Sequence, residues 1–263
     1  MRLPVKKTYK LFVGGAFPRS ESGRSYEAEG ANVALASRKD VRDAVRAARA
    51  AFPRWSQLSA YNRGQVLYRV AEIMEGRRAQ FAELTTDEAE VDAAIDLWVW
   101  YAGWADKLAQ VLGSSNPVAG PYFNFTVPEP TGVVGIVAAE EPALGGVVER
   151  LAPVLVGGNT AVVMASERRP LAAVTLAEVL ATSDVPGGVV NVLTGGREEI
   201  APVLAAHMDV DALDLGGVAG DTTELERLAA ENVKRVITEG GDPSPYLAAE
   251  FLELKTVWHP IGV

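Results

Sequence analysis

The clearest pattern in this chain is a short apolar run, a helical segment and a second apolar run between residues 133 and 164. Val133–Ala139 is uncharged and rich in β-branched residues, which predicts a strand buried on both faces. Ala143–Val156 repeats apolar residues at spacings of three and four, and Gly157–Asn159 ends that helix. Ala161–Met164 begins a second buried strand. Together they form a βαβ unit, which predicts an α/β fold with a doubly wound parallel sheet flanked by helices.

Helices and strands continue on both sides of this unit. A short hairpin is predicted from Tyr9 to Phe17, turned at Gly14–Gly15. Ser37 is the expected N-cap of the first helix, and Pro53 is expected to help end it. The predicted helices are Lys39–Trp55, Ser59–Gln80, Phe81–Leu112, Leu171–Thr182, Arg197–Ala206 and Thr222–Asn232. The remaining predicted strands are Val189–Leu193, Leu213–Leu215 and Lys234–Ile237, of which the second is weakened by a charge.

One segment departs from this alternation. Pro117–Pro130 is rich in proline and aromatic residues, and Tyr122–Val127 alternates apolar and polar positions. Proline is found in sheets mainly on edge strands, so this segment is predicted to form an edge strand or a protruding ribbon.

Composition and charge exclude several classes of function. The 263 residues carry a net charge of −9, which argues against a nucleic-acid partner. No stretch approaches a membrane span, and the N-terminal residues lack the apolar segment of a secretory signal, so we expect no membrane partner and a cytoplasmic location. The chain has no cysteine and two histidines, which excludes disulfides, a thiol nucleophile and a histidine-rich metal site, and no metal is expected.

Several strings of this sequence resemble the coenzyme domain of the aldehyde dehydrogenase superfamily. Trp100–Lys107 is close to a hallmark of that family, and Gly158–Thr160 followed by Ser166–Glu167 matches its second strand and the turn after it. Further matches are Ala60–Gly64, Leu67–Arg69, Pro186–Asn191 and His207–Asp211. The resemblance implies a Rossmann-like coenzyme domain, with NAD as the coenzyme and aldehyde oxidation as the family activity.

The same resemblance shows which catalytic groups are replaced. The family uses a cysteine thiolate as nucleophile, and this sequence has no cysteine. The family's oxyanion-binding asparagine corresponds to Glu141, in the turn Ala139–Glu141, and a carboxylate would repel an oxyanion. The string with the general base corresponds to Ile237–Gly241, where Thr238 takes the base position and Glu239 lies one residue later as a vestigial base. No catalytic residue is therefore predicted.

The coenzyme site is altered in a similar way. The lysine that holds the adenosine ribose corresponds to Met164, which cannot donate a hydrogen bond, whereas Glu167 can still accept one. The pyrophosphate turn corresponds to Gly216–Asp221, which keeps glycines but adds a negative charge. The vestigial cofactor-binding residues are Ser166, Glu167, Gly196 and Gly217. We expect no cofactor, or only weak NAD binding.

The resemblance also implies a domain organisation. Residues 1–116 and 131–245 correspond to the coenzyme-binding domain, and residues 117–130 and 246–263 correspond to a small β oligomerisation arm. Leu252–Ile261 resembles the strand that completes this arm in the family. The family's catalytic domain has no counterpart among these residues.

Three hypotheses follow. The first is a non-catalytic subunit that assembles with a full-length aldehyde dehydrogenase as a structural or regulatory partner. The second is a homodimer that retains weak binding of NAD or of another nucleotide, within a family whose enzymes are NAD-dependent oxidoreductases. The third is an enzyme with new chemistry built on Glu140, Glu141 and Glu239, although Glu140 and Glu141 are expected to form a solvated acidic turn. The sequence names neither the partner nor its aldehyde.

Overall fold

The computed structural model describes residue 3 and residues 6–240 and 242–262. Gly241, from the predicted base string, Val263, at the end of the predicted arm, and residues 1, 2, 4 and 5 lie outside this range. The strands are β1 (Thr8–Tyr9), β2 (Ser25–Ala28), β3 (Ala31–Ala34), β4 (Tyr122–Pro130), β5 (Val133–Val137), β6 (Thr160–Met164), β7 (Val190–Leu193), β8 (Ala212–Asp214), β9 (Arg235–Ile237) and β10 (Leu252–Pro260). The helices are α1 (Arg38–Ser56), α2 (Ala60–Gly76), α3 (Arg78–Ala82), α4 (Glu88–Trp104), α5 (Leu108–Leu112), α6 (Gly145–Val156), α7 (Leu171–Ala181), α8 (Arg197–Ala206), α9 (Thr223–Ala230) and α10 (Pro245–Ala249).

A five-stranded parallel sheet in the order β7-β6-β5-β8-β9 forms the centre of the fold. Strands β5, β6 and β7 are buried along their whole length, because helices cover both faces of the sheet. Helices α1, α8 and α9 pack on one face, while α2, α4, α6 and α7 pack on the other. The predicted doubly wound α/β fold is thereby confirmed.

The first helix begins as predicted and ends later than predicted. The Ser37 hydroxyl accepts a hydrogen bond from the Asp40 backbone N–H, and the Asp40 carboxylate accepts one from the Ser37 backbone N–H, which forms a capping box. Pro53, expected to help end the helix, lies inside its last turn, and the helix continues to Ser56. The predicted end at Trp55 is thus only one residue short, and Pro53 lies in the last turn, as expected of a residue that helps end the helix.

Two of the predicted long helices are interrupted. Ser59–Gln80 divides into α2 and α3 after Gly76, and Ser59 caps α2 by accepting from Asn62 N at 3.2 Å. Phe81–Leu112 divides into the end of α3, α4 and α5, because Asp87 adopts an extended conformation and caps α4. Its carboxylate accepts from Ala89 N at 2.9 Å. Apolar spacing continues across both breaks, so periodicity alone did not reveal the caps.

The predicted N-terminal hairpin is a tight turn rather than a pair of strands. Val13 and Ala16 form a single bridge around Gly14–Gly15, and β1 pairs with β3 in a separate three-stranded sheet. Phe12 forms a further antiparallel bridge to Val192 at the edge of the central sheet, with a Phe12 N to Val192 O distance of 2.9 Å. The segment therefore pairs with part of the outer edge of β7.

A second, separate β structure lies outside the sheet. Strand β10 pairs antiparallel with β4 along the full length of both strands, from Leu252 opposite Pro130 to Pro260 opposite Tyr122. We call these two strands the ribbon. The prediction of an edge ribbon within Pro117–Pro130 is confirmed for residues 122–130, whereas α10 occupies the first residues assigned to the arm.

Candidate functional site

The predicted cofactor residues converge on one edge of the central sheet. Ser166 and Glu167 follow β6, Gly196 follows β7, and Gly217 follows β8. Because the strands are parallel, their carboxyl ends meet at the same edge, and the chain reverses its winding direction between β5 and β8. Open α/β sheets bind ligands in the crevice at such a reversal, so this edge is the candidate site, which we call the cleft.

The turn after β8 packs against the end of β5, at the place where the winding direction of the sheet reverses. Gly217 packs so tightly on the end of β5 that an added Cβ would lie 2.5 Å from the backbone nitrogen of Ala139. The neighbouring Gly216 lies over Arg150, whose guanidinium would be 2.5 Å from a Cβ at that position. Only glycine fits at these two places, and the backbone of the turn rests directly on the protein interior.

A buried ion pair supports this turn. Arg150 on α6 donates to the carboxylate of Asp214 on β8 at 2.6–2.9 Å, and the Arg150 and Asp214 side chains are only 4% and 0% exposed. Asp214 also accepts from the backbone N–H of Gly216 at 2.9 Å. Burial raises the pKa of Asp214, and the Arg150 charge opposes that rise. The charge that was expected to weaken β8 is therefore paired inside the fold.

Four helices that follow strands of the central sheet carry a carboxylate at the N-terminus. We call these four residues the acidic caps, and each accepts a hydrogen bond from a backbone N–H in the first turn of a helix or just before it. Glu90 accepts from Leu144 and Gly145 at α6, Glu29 from Leu171 at α7, Glu167 from Arg197 at α8 and Asp221 from Thr223 at α9, all at 2.8–3.0 Å. At each of these helices, one or two of the N–H groups that make a helix N-terminus attract phosphate are thus already bonded to a carboxylate.

Glu140, in the turn after β5, is a centre of contacts rather than a solvated residue. Its carboxylate accepts from the Ser166 hydroxyl at 2.6 Å and from the backbone N–H groups of Glu167 and Arg168 at 3.2 Å. Burial alone would raise the pKa of Glu140, but these three donors and the Arg197 charge hold it below its usual value. The expectation of a solvated acidic turn was wrong at this residue.

Arg197, at the start of α8, reaches the turn after β5. Its guanidinium donates to the carbonyl oxygen of Ala138, after β5, and its Nε lies 2.6 Å from a carboxylate oxygen of Glu140. The Nε–H does not point at that oxygen, so the second contact is an ion pair and not a hydrogen bond. Burial lowers the pKa of Arg197, while Glu140 and Glu167 oppose this shift. The sequence did not single out this residue.

The phenol of Tyr26 on β2 faces the same region. Burial, followed by the charges of Glu167, Glu140 and Glu29, raises the pKa of its hydroxyl. The hydroxyl oxygen is buried, and the nearby backbone of Gly195 opposes this rise in pKa. A chemical signal for Tyr26 is absent from the sequence, because β2 comes from a different part of the chain.

Glu141, at the oxyanion-asparagine position, and Glu239, the vestigial base, follow different strands of the sheet. Glu141 is exposed, precedes a cis proline and lies 3.6 Å from Arg169 in an ion pair. Glu239 follows β9, which is two strands from β5, or about 10 Å at ordinary strand spacing. It lines a groove of about 510 Å³ between the end of β9 and α10, together with Thr238 and Tyr246. The lining of this groove does not include the four predicted cofactor residues, but the backbone of Glu239 lies against Gly216 in the turn after β8.

These contacts allow a direct test of whether NAD fits. Met164, at the ribose-lysine position, is fully buried inside the sheet, and Ser166 is 1% exposed and bonded to Glu140. A ribose hydroxyl would compete with the α8 N-terminus for Glu167, and a pyrophosphate would meet the carboxylates of the acidic caps. In this arrangement a dinucleotide would have to displace contacts that the chain already makes.

Two negative findings concern the described residues alone. Within residues 6–240 and 242–262, no group of three or more metal-binding side chains of suitable type is present. Over the same ranges, no helix combines the length and the apolar character that a bilayer crossing requires.

Comparison with known proteins shows which family this chain resembles in sequence. Residues 24–260 match the model of the aldehyde dehydrogenase family. The chain is 32% identical over 270 residues to the putative aldehyde dehydrogenase DhaS of Bacillus subtilis, covering 95% of this chain and 54% of that protein. It is 33% identical over 270 residues to retinal dehydrogenase 2 of Gallus gallus, covering 93% and 51%. The chain thus spans about half the length of the curated relatives it matches.

Comparison with solved structures also finds similarity to aldehyde dehydrogenases. The NAD+ complex of an aldehyde dehydrogenase from Bacillus cereus superposes with a TM-score of 0.81 at 26% identity, over 88% of this chain and 50% of that one. HpcC from Thermus thermophilus superposes with a TM-score of 0.82 at 30% identity, over 88% and 47%. In both cases the similarity extends over most of this chain and about half of the other.

Proposed function

This chain belongs to the aldehyde dehydrogenase family, and from that premise we propose that it is a non-catalytic subunit that assembles with a full-length aldehyde dehydrogenase. In such an assembly it would act as a structural or regulatory partner. The observation that carries this proposal is the ribbon, which presents apolar side chains and an unpaired strand edge to the surroundings.

Both faces of the ribbon carry exposed apolar side chains. Phe123, Val127 and Val257 lie on one face, with exposed fractions of 39–49%. Tyr122, Leu254 and Trp258 lie on the other face and are 44–57% exposed. Exposed apolar side chains on both sides of a thin ribbon are typical of a segment that is buried by another subunit.

The two outer edges of the ribbon differ. The outer edge of β4 is partly covered by residues 114–116, since Thr126 N donates to Ser114 O at 2.7 Å and Asn116 N to Asn124 O at 3.3 Å. Along Leu254–Pro260 the outer edge of β10 has no strand partner among the described residues. An open edge of this kind binds a further strand by β-augmentation, which supports assembly through β10.

The non-catalytic part of the proposal is supported by residue types and by the cleft. The 263 residues contain no cysteine, and Glu141 occupies the position of the oxyanion-binding asparagine in the resemblance. Glu140 is held by Ser166 and by backbone N–H groups, so it has no free role as an acid or base. These features support a scaffold role rather than an aldehyde-oxidising role.

The test is native mass spectrometry of the chain purified from its source cells. We expect a complex that contains this chain and a full-length aldehyde dehydrogenase. Val257→Asp places a carboxylate on the ribbon face and should lower the complex fraction at least about tenfold, because a desolvated charge costs more than about 1.4 kcal/mol.

Val233→Asp provides the matched control. Val233 is 90% exposed, lies after α9 and has a φ of 58°, a conformation that aspartate tolerates. This variant makes the same chemical change away from the ribbon and should leave the complex intact. If the chain is isolated only as a monomer, the proposal is wrong.

A second candidate is a homodimer that retains weak NAD binding. It is favoured by Glu167 and the Gly216–Gly217 turn, which remain at the carboxyl edge, and by the similarity to a relative solved with NAD+. A homodimer mass without any larger partner, together with heat release on titration with NAD, would select this candidate. The enzyme hypothesis built on Glu140, Glu141 and Glu239 requires aldehyde turnover by the isolated chain, which an oxidation assay measures directly.

A further inference from the structure

The position of Arg197 relative to the sheet has a geometric consequence. Arg197 begins α8, directly after β7, and its guanidinium reaches the carbonyl oxygen of Ala138, directly after β5. The strand order is β7-β6-β5, so the side chain passes over the carboxyl end of β6. We call this side chain and its contacts with Ala138 and Glu140 the Arg197 bridge.

Both ends of the bridge are fixed by further bonds. On one side, the backbone N–H of Arg197 donates to Glu167 at 3.0 Å. On the other side, Glu140 is held by the Ser166 hydroxyl at 2.6 Å and by two backbone N–H groups at 3.2 Å. The Arg197 and Glu140 side chains are 19% and 21% exposed, so solvent screens their ion pair only in part. The bridge is a built feature of the cleft and not a surface ion pair.

We propose that the Arg197 bridge is an autoinhibitory contact that closes the cleft against nucleotides. This inference rests on the proposed function, in which the cleft has no catalytic role and can therefore be held shut. The residues of the bridge bind the two side chains that could meet a ribose, because Glu140 accepts from the Ser166 hydroxyl and the Arg197 backbone N–H donates to Glu167. The phenol of Tyr26 lies near the same carboxylates.

The class of ligand follows from the groups beneath the bridge. Carboxylate and hydroxyl oxygens are suited to the hydroxyl groups of a ribose, whereas the acidic caps repel a phosphate. Opening the bridge should therefore favour a nucleoside most strongly and a dinucleotide less. Adenosine and NAD are the two probes. Adenosine has no phosphate, so its binding reports removal of the steric block, whereas the binding of NAD also reports the charge repulsion that remains.

The main variant is the double substitution Glu140→Ala with Arg197→Ala, which removes the bridge without changing the net charge. The matched control is Arg24→Ala with Glu199→Ala, which removes an exposed ion pair of 3.2 Å that also involves α8 and also conserves net charge. Isothermal titration calorimetry with each probe measures binding, and circular dichroism confirms that each variant is folded.

We expect the bridge variant to bind adenosine at least tenfold more tightly than the unaltered chain, with a smaller gain for NAD and no gain in the control. If the bridge variant fails to fold, the same titrations are made with Arg197→Met. This variant removes the guanidinium and leaves the contacts of Glu140 with Ser166 and the two backbone N–H groups in place. Equal affinity in the unaltered chain and in a folded bridge variant would overturn the inference.

The two proposals can fail separately. Native mass spectrometry of the unaltered chain from its source cells reports on assembly, which depends on the ribbon. The calorimetric comparison reports on the bridge alone. Absence of a full-length partner would contradict the proposed function and leave the calorimetric result unchanged.

Discussion

The cleft and the ribbon differ in how many of their groups are already bonded or buried within the chain. In the cleft, the carboxylates are bonded within the chain: four helix N-termini have acidic caps, Glu140 has three donors, and Asp214 is paired with Arg150. In the ribbon, Trp258 is 57% and Leu254 54% exposed, and the outer edge of β10 is unpaired along the described residues.

This difference indicates where the molecule can interact. A group that is fully bonded within its own chain gains little from an external ligand, because binding must first break an existing contact. An exposed apolar side chain or an open strand edge has no such cost and gains from burial. The contrast supports our proposal that this chain assembles through the ribbon.

The largest effect should come from breaking the buried pair beneath the cleft. Asp214→Ala leaves the guanidinium of Arg150 buried without a partner, so we expect the free energy of unfolding to fall by about 3–5 kcal/mol. Urea denaturation followed by circular dichroism measures this change.

A double substitution sharpens that test. Replacing Arg150 by Met and Asp214 by Leu removes both charges while retaining volume, and should restore most of the lost stability. A loss of less than about 1 kcal/mol in Asp214→Ala would show that the pair is not isolated from water as the structure indicates.

An intermediate effect is expected at Glu140. Glu140→Gln weakens the contacts with Ser166, with two backbone N–H groups and with Arg197, and should lower the free energy of unfolding by about 1–3 kcal/mol at about pH 7. Urea denaturation of both proteins across a pH series measures the difference.

The pH dependence has a definite sign. Because folding lowers the pKa of Glu140 from 4.5, its contribution is fully present above pH 4.5 and is lost as the pH falls through the folded value. The difference between the unaltered chain and Glu140→Gln should therefore shrink in acid. A difference that stays constant below pH 4.5 would assign the effect to packing instead of charge.

The smallest effect on stability should come from the ribbon. Val257 is 43% exposed and lies opposite Phe125, so Val257→Asp should change the free energy of unfolding of the isolated chain by less than about 1 kcal/mol. The same variant is expected to disrupt assembly. A large loss of stability in the monomer would mean that the ribbon serves the fold of its own chain, and would remove the contrast with the cleft.

Some parts of the cleft could be anticipated from sequence and others could not. The structure brings Ser166, Glu167, Gly196 and Gly217 to one edge of the sheet, each after a strand that the pattern of apolar runs predicted. The residues that close this edge gave no local signal. Asp214 appeared only as a charge that weakens a strand, since its partner Arg150 is 64 residues away.

The sequence alone determined the family, the alternation of strands and helices, and the absence of a thiol, because each depends on residue types within short windows or on composition. Only the tertiary structure decided how the polar groups pair. Glu29 reaches α7 across 142 residues, Glu90 reaches α6 across 54 and Arg197 reaches Ala138 across 59. Such contacts depend on where folding brings distant atoms together, which no periodicity along the chain records.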